Sequence, residues 1–227
     1  MSARLGRPSP GDGDCARRVA GQRLLETYAT LSARGEHLLH GLLAGRPPTQ
    51  WQHYPDDDAI DPSSGYQWFY HSHSPEDRPG AAEHGHFHLF ARRPLWSRRL
   101  QSKAEQAFAA MTGAPRTTAP TRHLLAIGMD AKGLPISLFT VNSWVTGDLM
   151  LSAGTTGQLL SAMRLNTGHP GIDTMLECVT ALCATEIREV LAARDAALSS
   201  RAAQGVLEDQ GLELLSERAI TLDEKLA

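Results

Sequence analysis

The chain of 227 residues reads as an α+β protein: a four-stranded antiparallel sheet flanked by N-terminal and C-terminal helices. Three observations carry that reading. Apolar residues recur at three- and four-residue steps before residue 44 and again after residue 170, which is the period of an amphipathic helix. Between them lie short runs rich in aromatic and β-branched residues, bounded by Pro- and Gly-rich turns. Regular helices do not separate those runs, so the β-α-β alternation of a parallel sheet is missing.

Residues 1–14 contain Gly6, Pro8, Pro10, Gly11 and Gly13 and read as a flexible tail, with 15–227 as a single domain. From Cys15 to Ala44 the residues Val19, Leu24, Tyr28, Leu31, Leu38 and Leu42 keep helical spacing. Gly35 weakens the middle of this stretch, and Pro47 and Pro48 stop it. Residues 49–65, TQWQHYPDDDAIDPSSG, read as a loop. GYQWFYHSH and EHGHFHLFA, on either side of SPEDRPGAA, predict an antiparallel pair of strands. SRRLQSKAEQAFAAM predicts a short helix and TGAPRTTAPT a loop. Arg122–Met129 and Leu134–Asn142 flank Asp130–Gly133, a four-residue loop whose closing glycine suits a positive φ, so they form a β-hairpin. Thr155 or Thr156 caps a short helix reaching Met163 and Leu165. Pro170 opens a long one, in which Ile172, Met175, Leu176, Val179, Leu182, Ile187, Val190 and Leu191 hold one stripe for more than five turns. That stripe reads as a core face, with a homodimer interface as the alternative. The last 25 residues read as a closing helix or strap.

Composition removes several functions. With 22 Lys+Arg against 25 Asp+Glu the net charge is −3, so no bulk field draws nucleic acid or an anionic membrane. No apolar run approaches the ~20 residues of a membrane span. The first residues lack the apolar core of about 7–15 residues that a signal peptide needs, so a cytoplasmic location is expected. Cys15, Cys178 and Cys183 are odd in number and form no CxxC pair, which argues against a disulfide framework or a Cys-rich zinc site. Phosphate-loop, dinucleotide-glycine, G-x-S-x-G and H-E-x-x-H patterns are all missing.

Histidine is the exception to this average composition. Ten are present, and five of them (His71, His73, His84, His86 and His88) fall within 18 residues. Alternate residues of a strand share a face. His71 and His73 therefore lie opposite Trp68 and Tyr70, and His84, His86 and His88 lie opposite Phe87 and Leu89. If the two runs pair, all five imidazoles project from one face and the aromatic face packs on helices. Strand neighbours two apart stand ~7 Å apart and cross-strand partners ~5 Å apart. Both spacings let imidazole nitrogens converge on one ion at ~2.0–2.1 Å. Neutral imidazoles suit a transition metal ion, namely zinc, iron, copper or nickel, over magnesium or calcium. Five exceed the three or four that one ion takes, so some act as outer partners or acid–base groups. Carboxylates stand nearby at Asp56, Asp57, Asp58, Asp61, Glu76, Asp77 and Glu83. Glu83 has the wrong parity for a ligand and the right place to brace one from behind. His53 and His123 are further recruits, and Asp148 in the WVTGD turn is another. The expected function is a metal-dependent enzyme or, alternatively, a non-catalytic metal carrier or sensor. Its partner is a small-molecule ligand or the ion itself.

Two resemblances add to this. The phrases HYP, YHSH, EHGHFHLF, AIGMDAKGLP and WVTGD resemble those of an uncharacterised group of bacterial proteins across residues 50–227, a likeness that implies one domain and transfers no activity. His84-Gly85-His86-Phe87-His88-Leu89-Phe90 resembles the histidine-triad signature of nucleotide hydrolases and transferases. That likeness implies His86 as the nucleophile on an α-phosphorus, with His84 and His88 holding phosphate. Gly85 departs from it, since the signature has an apolar side chain there.

Overall fold

A computed structural model of the protein describes residues 10–73, 82–114, 119–201 and 205–226. Its antiparallel sheet has six strands, not four, in the simple order β1-β2-β3-β4-β5-β6. These are β1 (Tyr54–Ile60), β2 (Tyr66–Ser72), β3 (Gly85–Arg92), β4 (Thr121–Met129), β5 (Pro135–Val141) and β6 (Leu214–Ala219). The four expected strands are the middle ones. The two additions are the edges. β1 comes from the segment read as a loop, YPDDDAI, and β6 from the segment read as a closing helix or strap, LLSERA. Each buries a single side chain, Ala59 in β1 and Leu215 in β6. Neither shows an alternating apolar pattern, because only backbone pairing with one neighbour makes it a strand. The three aspartates of β1 also guard its open edge against further pairing.

The helices are α1 (Pro10–Ala33), α2 (His40–Leu43), α3 (Arg93–Trp96), α4 (Lys103–Thr112), α5 (Ser143–Thr146), α6 (Ala153–Ser161), α7 (Pro170–Leu182), α8 (Ala184–Ser200) and α9 (Leu222–Leu226). α1 begins inside the stretch read as a tail, since a proline is well tolerated at the first helical position. Gly35, at φ 68°, follows its end. α4 is capped by Ser102 and α6 by Ser152, whose side chains accept from the backbone of Glu105 and Thr155. The long helix expected after Pro170 is two, broken at Cys183 (φ −99°, ψ 24°). The break lets one apolar stripe serve two walls: α7 packs on α1, whereas α8 turns to β5 and β6.

One face of the sheet carries Trp68, Tyr70, Phe87, Leu89, Leu125, Ile127 and Leu138, which merge with Leu24, Met175, Leu176 and Val179 into the main core. The stripe after Pro170 is therefore a core face. Trp68 Nε1 donates to Asp173 Oδ1 at 3.1 Å, which pins α7 over β2. In the β4–β5 hairpin Asp130 Oδ1 accepts from Lys132 N and Leu134 N, and Gly133 takes φ 77°. The cysteines are free thiols. Among the described residues no helix is long and apolar enough to cross a membrane.

Candidate metal centre

The second face of the sheet holds the histidines. β2 and β3 pair with His71 directly opposite His86 and Phe69 opposite His88. The alternation places the aromatic partners on the helix side, where Trp68, Tyr70 and Phe87 are fully buried. Ring centroids of His71 and His86 stand 4.3 Å apart, and those of His73 and His86 4.9 Å. One ligand nitrogen from each of His71, His73 and His86 lies within 4.8 Å of the other two. Two nitrogens bound tetrahedrally at ~2.1 Å stand ~3.4 Å apart, so an ion would draw the widest pair in by up to about 1.4 Å.

His86 is braced from behind. Its Nδ1 lies 2.8 Å from Glu83 Oε1, in the carboxylate–imidazole arrangement that sets the tautomer of a metal ligand. Glu83 has room for this because of Gly128, which sits opposite both His86 and Ser137 in the ladder. A Cβ on Gly128 would come within 2.5 Å of Glu83 Oε2. A glycine inside a strand is the sequence sign of a close approach, and Gly128 is the one to have read that way.

A chain of imidazoles continues inward. His86 Nε2 stands 3.0 Å from His88 Nε2, and His88 Nδ1 stands 3.0 Å from His123 Nε2. His123 reaches this face through a bulge. Leu89 pairs with Leu125 but Phe90 with His123, which leaves Leu124 as the extra residue. Leu124 and Leu125 both enter the helix-side core, and His123 changes face. Burial pushes the His88 imidazole well below its ordinary pKa, and neighbouring His86, His123, His71 and His53 add to the effect. His123 is lowered to about 3 by burial first, then by Arg194 and His86. These rings are therefore neutral at ordinary pH, the form in which an imidazole binds a metal.

His84 leaves the group. It precedes β3, and its Nδ1 lies 3.1 Å from Tyr70 Oη, whose ring belongs to the helix-side core. Gly85 makes that possible, because a Cβ there would collide with the Tyr70 hydroxyl and the His71 carbonyl oxygen. The same glycine is the departure from the histidine-triad pattern. That pattern needs His84, His86 and His88 around one phosphate.

Of the other carboxylates, Asp56, Asp58, Asp61 and Asp148 have partners outside the His71–His73–His86 group. Asp58 accepts from Gln67 Nε2 at 2.7 Å and faces His53 Nδ1 at 3.1 Å. Asp61 accepts from the backbone of Ser63, Ser64 and Asn166, which ties the β1–β2 turn to the segment before α7. Asp148 accepts from Thr121 Oγ1 and closes the start of β4. Asp56 takes a bond from Gln52, while Asp57 is exposed on the edge strand. Glu76 and Asp77 lie outside the described residues. Over the site lies the segment before β1. His53 stacks on Phe69 with centroids 3.7 Å apart, and the Trp51 ring stands 5.1 Å from His73 and 5.9 Å from His71. Trp51 is 61% exposed and takes φ 64°, a left-handed conformation that costs a tryptophan energy. Nothing in the local sequence announces Trp51 as a neighbour of the site.

Fold and site together define an α+β protein with a partly buried imidazole cluster on one face of an antiparallel sheet. The chain belongs to the family described as Domain of unknown function (DUF6969), which it matches over residues 18–220. No curated protein and no solved structure matches it significantly.

Proposed function

We propose that this protein binds one transition-metal ion through His71, His73 and His86 and uses it in catalysis. The observation that carries the reading is the convergence of these three imidazoles with Glu83 behind one of them. Three protein nitrogens leave a coordination position for water or a substrate oxygen. At that position a bound ion would supply Lewis-acid chemistry, polarising an oxygen group or lowering the pKa of a water. His88 neighbours His86 on the inner side, and Trp51 borders the outer side. Departure of His84 from the cluster favours this reading over phosphoester cleavage at His86.

Elemental analysis of protein purified without a histidine tag tests it, with about one ion per chain expected. Less than ~0.1 ion per chain, with no uptake on zinc or nickel titration, defeats the proposal. His86→Ala should abolish stoichiometric binding. Glu83→Gln and Gly128→Ala, which remove or displace the brace, should each weaken affinity by about 10–100-fold. Unchanged affinity in both would remove Glu83 from the site. Catalysis is separated from storage by the cobalt-substituted protein: an absorption band that shifts on adding azide reports an exchangeable position. A band indifferent to azide identifies a closed site, hence a carrier or sensor.

A further inference from the structure

We propose a second binding site on the opposite side of the sheet, in which Arg122 grips the carboxylate of a small, otherwise apolar ligand. A cavity of about 540 Å³ opens where β4 meets α4, a size within the range of small-molecule pockets. Leu100, Phe108, Leu149 and Met150 supply apolar wall, with Arg122 and Glu105 as its charged groups.

Arg122 is the reason to expect a ligand. It is only 4% exposed, and no ion pair reaches it among the described residues. Its Nη1 donates to the carbonyls of Thr121 at 2.8 Å and Ala119 at 3.5 Å, while Nε and Nη2 find no acceptor among the described residues. Trp96 lies under the guanidinium, 3.9 Å from ring centroid to carbon, and sets its plane. The Trp96 Nε1–H is buried and also lacks an acceptor. A mostly buried guanidinium whose remaining donors line a cavity offers them to whatever occupies that space.

Asp148 and Glu105 stand near enough to act on the Arg122 charge through space, but neither forms a hydrogen bond or ion pair with it among the described residues. Asp148 accepts from Thr121 Oγ1, and Glu105 accepts from the backbone N–H and the hydroxyl of Ser152. A carboxylate matches the two-pronged guanidinium edge. A dianionic phosphate fits worse, because one arginine must then offset two charges beside Glu105 and Asp148. Arg122 and His123 are consecutive in β4. Arg122 sits over Trp96 of the helix-side core and His123 faces the imidazoles, so this site is independent of the proposed metal centre.

Titration with hexanoate and phenylacetate, followed by tryptophan fluorescence and thermal shift, tests the proposal. At least one should saturate with Kd below about 1 mM, and hexanamide should bind about tenfold or more weakly by comparison. Arg122→Gln should lose about tenfold or more in affinity. Should that variant fail to fold, Ala109→Phe decides, since it fills the cavity from an exposed helix position and should abolish binding at unchanged stability. Treatment with a chelator should leave binding intact. The proposal is overturned if neither carboxylate saturates the folded protein, if inorganic phosphate binds as tightly, if folded Arg122→Gln or Ala109→Phe binds normally, or if chelation removes the signal.

Discussion

Gly85→Ala is expected to destabilise the protein by more than about 3 kcal/mol, above the usual range for an overpacked position. The new methyl group would meet two atoms, the Tyr70 hydroxyl and the main-chain carbonyl oxygen of His71. A side chain can turn aside, but the carbonyl belongs to the β2–β3 ladder, where Ser72 pairs with Gly85 and His71 with His86. Moving it separates the two central strands and with them the metal site. Urea denaturation of the metal-free protein gives the magnitude. Adding Tyr70→Phe should recover only part of the loss, because the backbone clash remains. A Gly85→Ala protein within about 1 kcal/mol of wild type would show that the close approach at this position is not needed.

Acid should unfold the metal-free protein well above the range where carboxylates titrate. His123 has its pKa lowered to about 3 by burial, with Arg194 and His86 adding to it. In the unfolded chain the same imidazole titrates near ~6.5. As pH falls below that value the unfolded state takes up a proton that the folded state refuses until about pH 3. Stability is therefore complete above pH ~6.5 and declines by ~1.4 kcal/mol per pH unit below it. His88 acts in the same direction for the same reason. Asp61 does not confuse the reading. Burial alone would raise its pKa, yet hydrogen bonds from Ser63 and Ser64 hold it below the ordinary carboxylate range. Its contribution is lost only as pH drops below ~4. Asp148, whose pKa burial raises, opposes this trend at the acid end, so a midpoint that falls between pH 6.5 and 4.5 reports the histidines, and His123→Gln should flatten its slope. A midpoint independent of pH over that window would contradict the burial of a neutral His123.

Much of this architecture was legible without coordinates wherever the signal was local. Strand alternation alone assigned Trp68, Tyr70, Phe87 and Leu89 to the core, and the structure buries all four. The loop Asp130–Gly133 announced its hairpin through a glycine that the structure holds at positive φ. Helical spacing found α4, α6 and the stripe of α7 and α8, although not the break at Cys183. The edge strands were illegible because YPDDDAI and LLSERA carry no periodic pattern. Pairing with β2 and β5 alone defines them. The same limit applies inside the site. Parity put His84 with its neighbours, and the structure adds that its Nδ1 lies 3.1 Å from the Tyr70 hydroxyl just before β3 begins.

The sequence by itself determined which face of β2 and β3 is aromatic and which is imidazole, because side-chain direction in a strand follows from residue parity alone. Only the tertiary structure decided which imidazoles meet. A bulge at Leu124 turned His123 into the cluster, and the missing side chain of Gly128 let Glu83 reach His86. Arg122, one residue from His123, was placed on the other side, over the Trp96 ring. Each of these depends on register between strands far apart in the chain. Local alternation carries no information about that register.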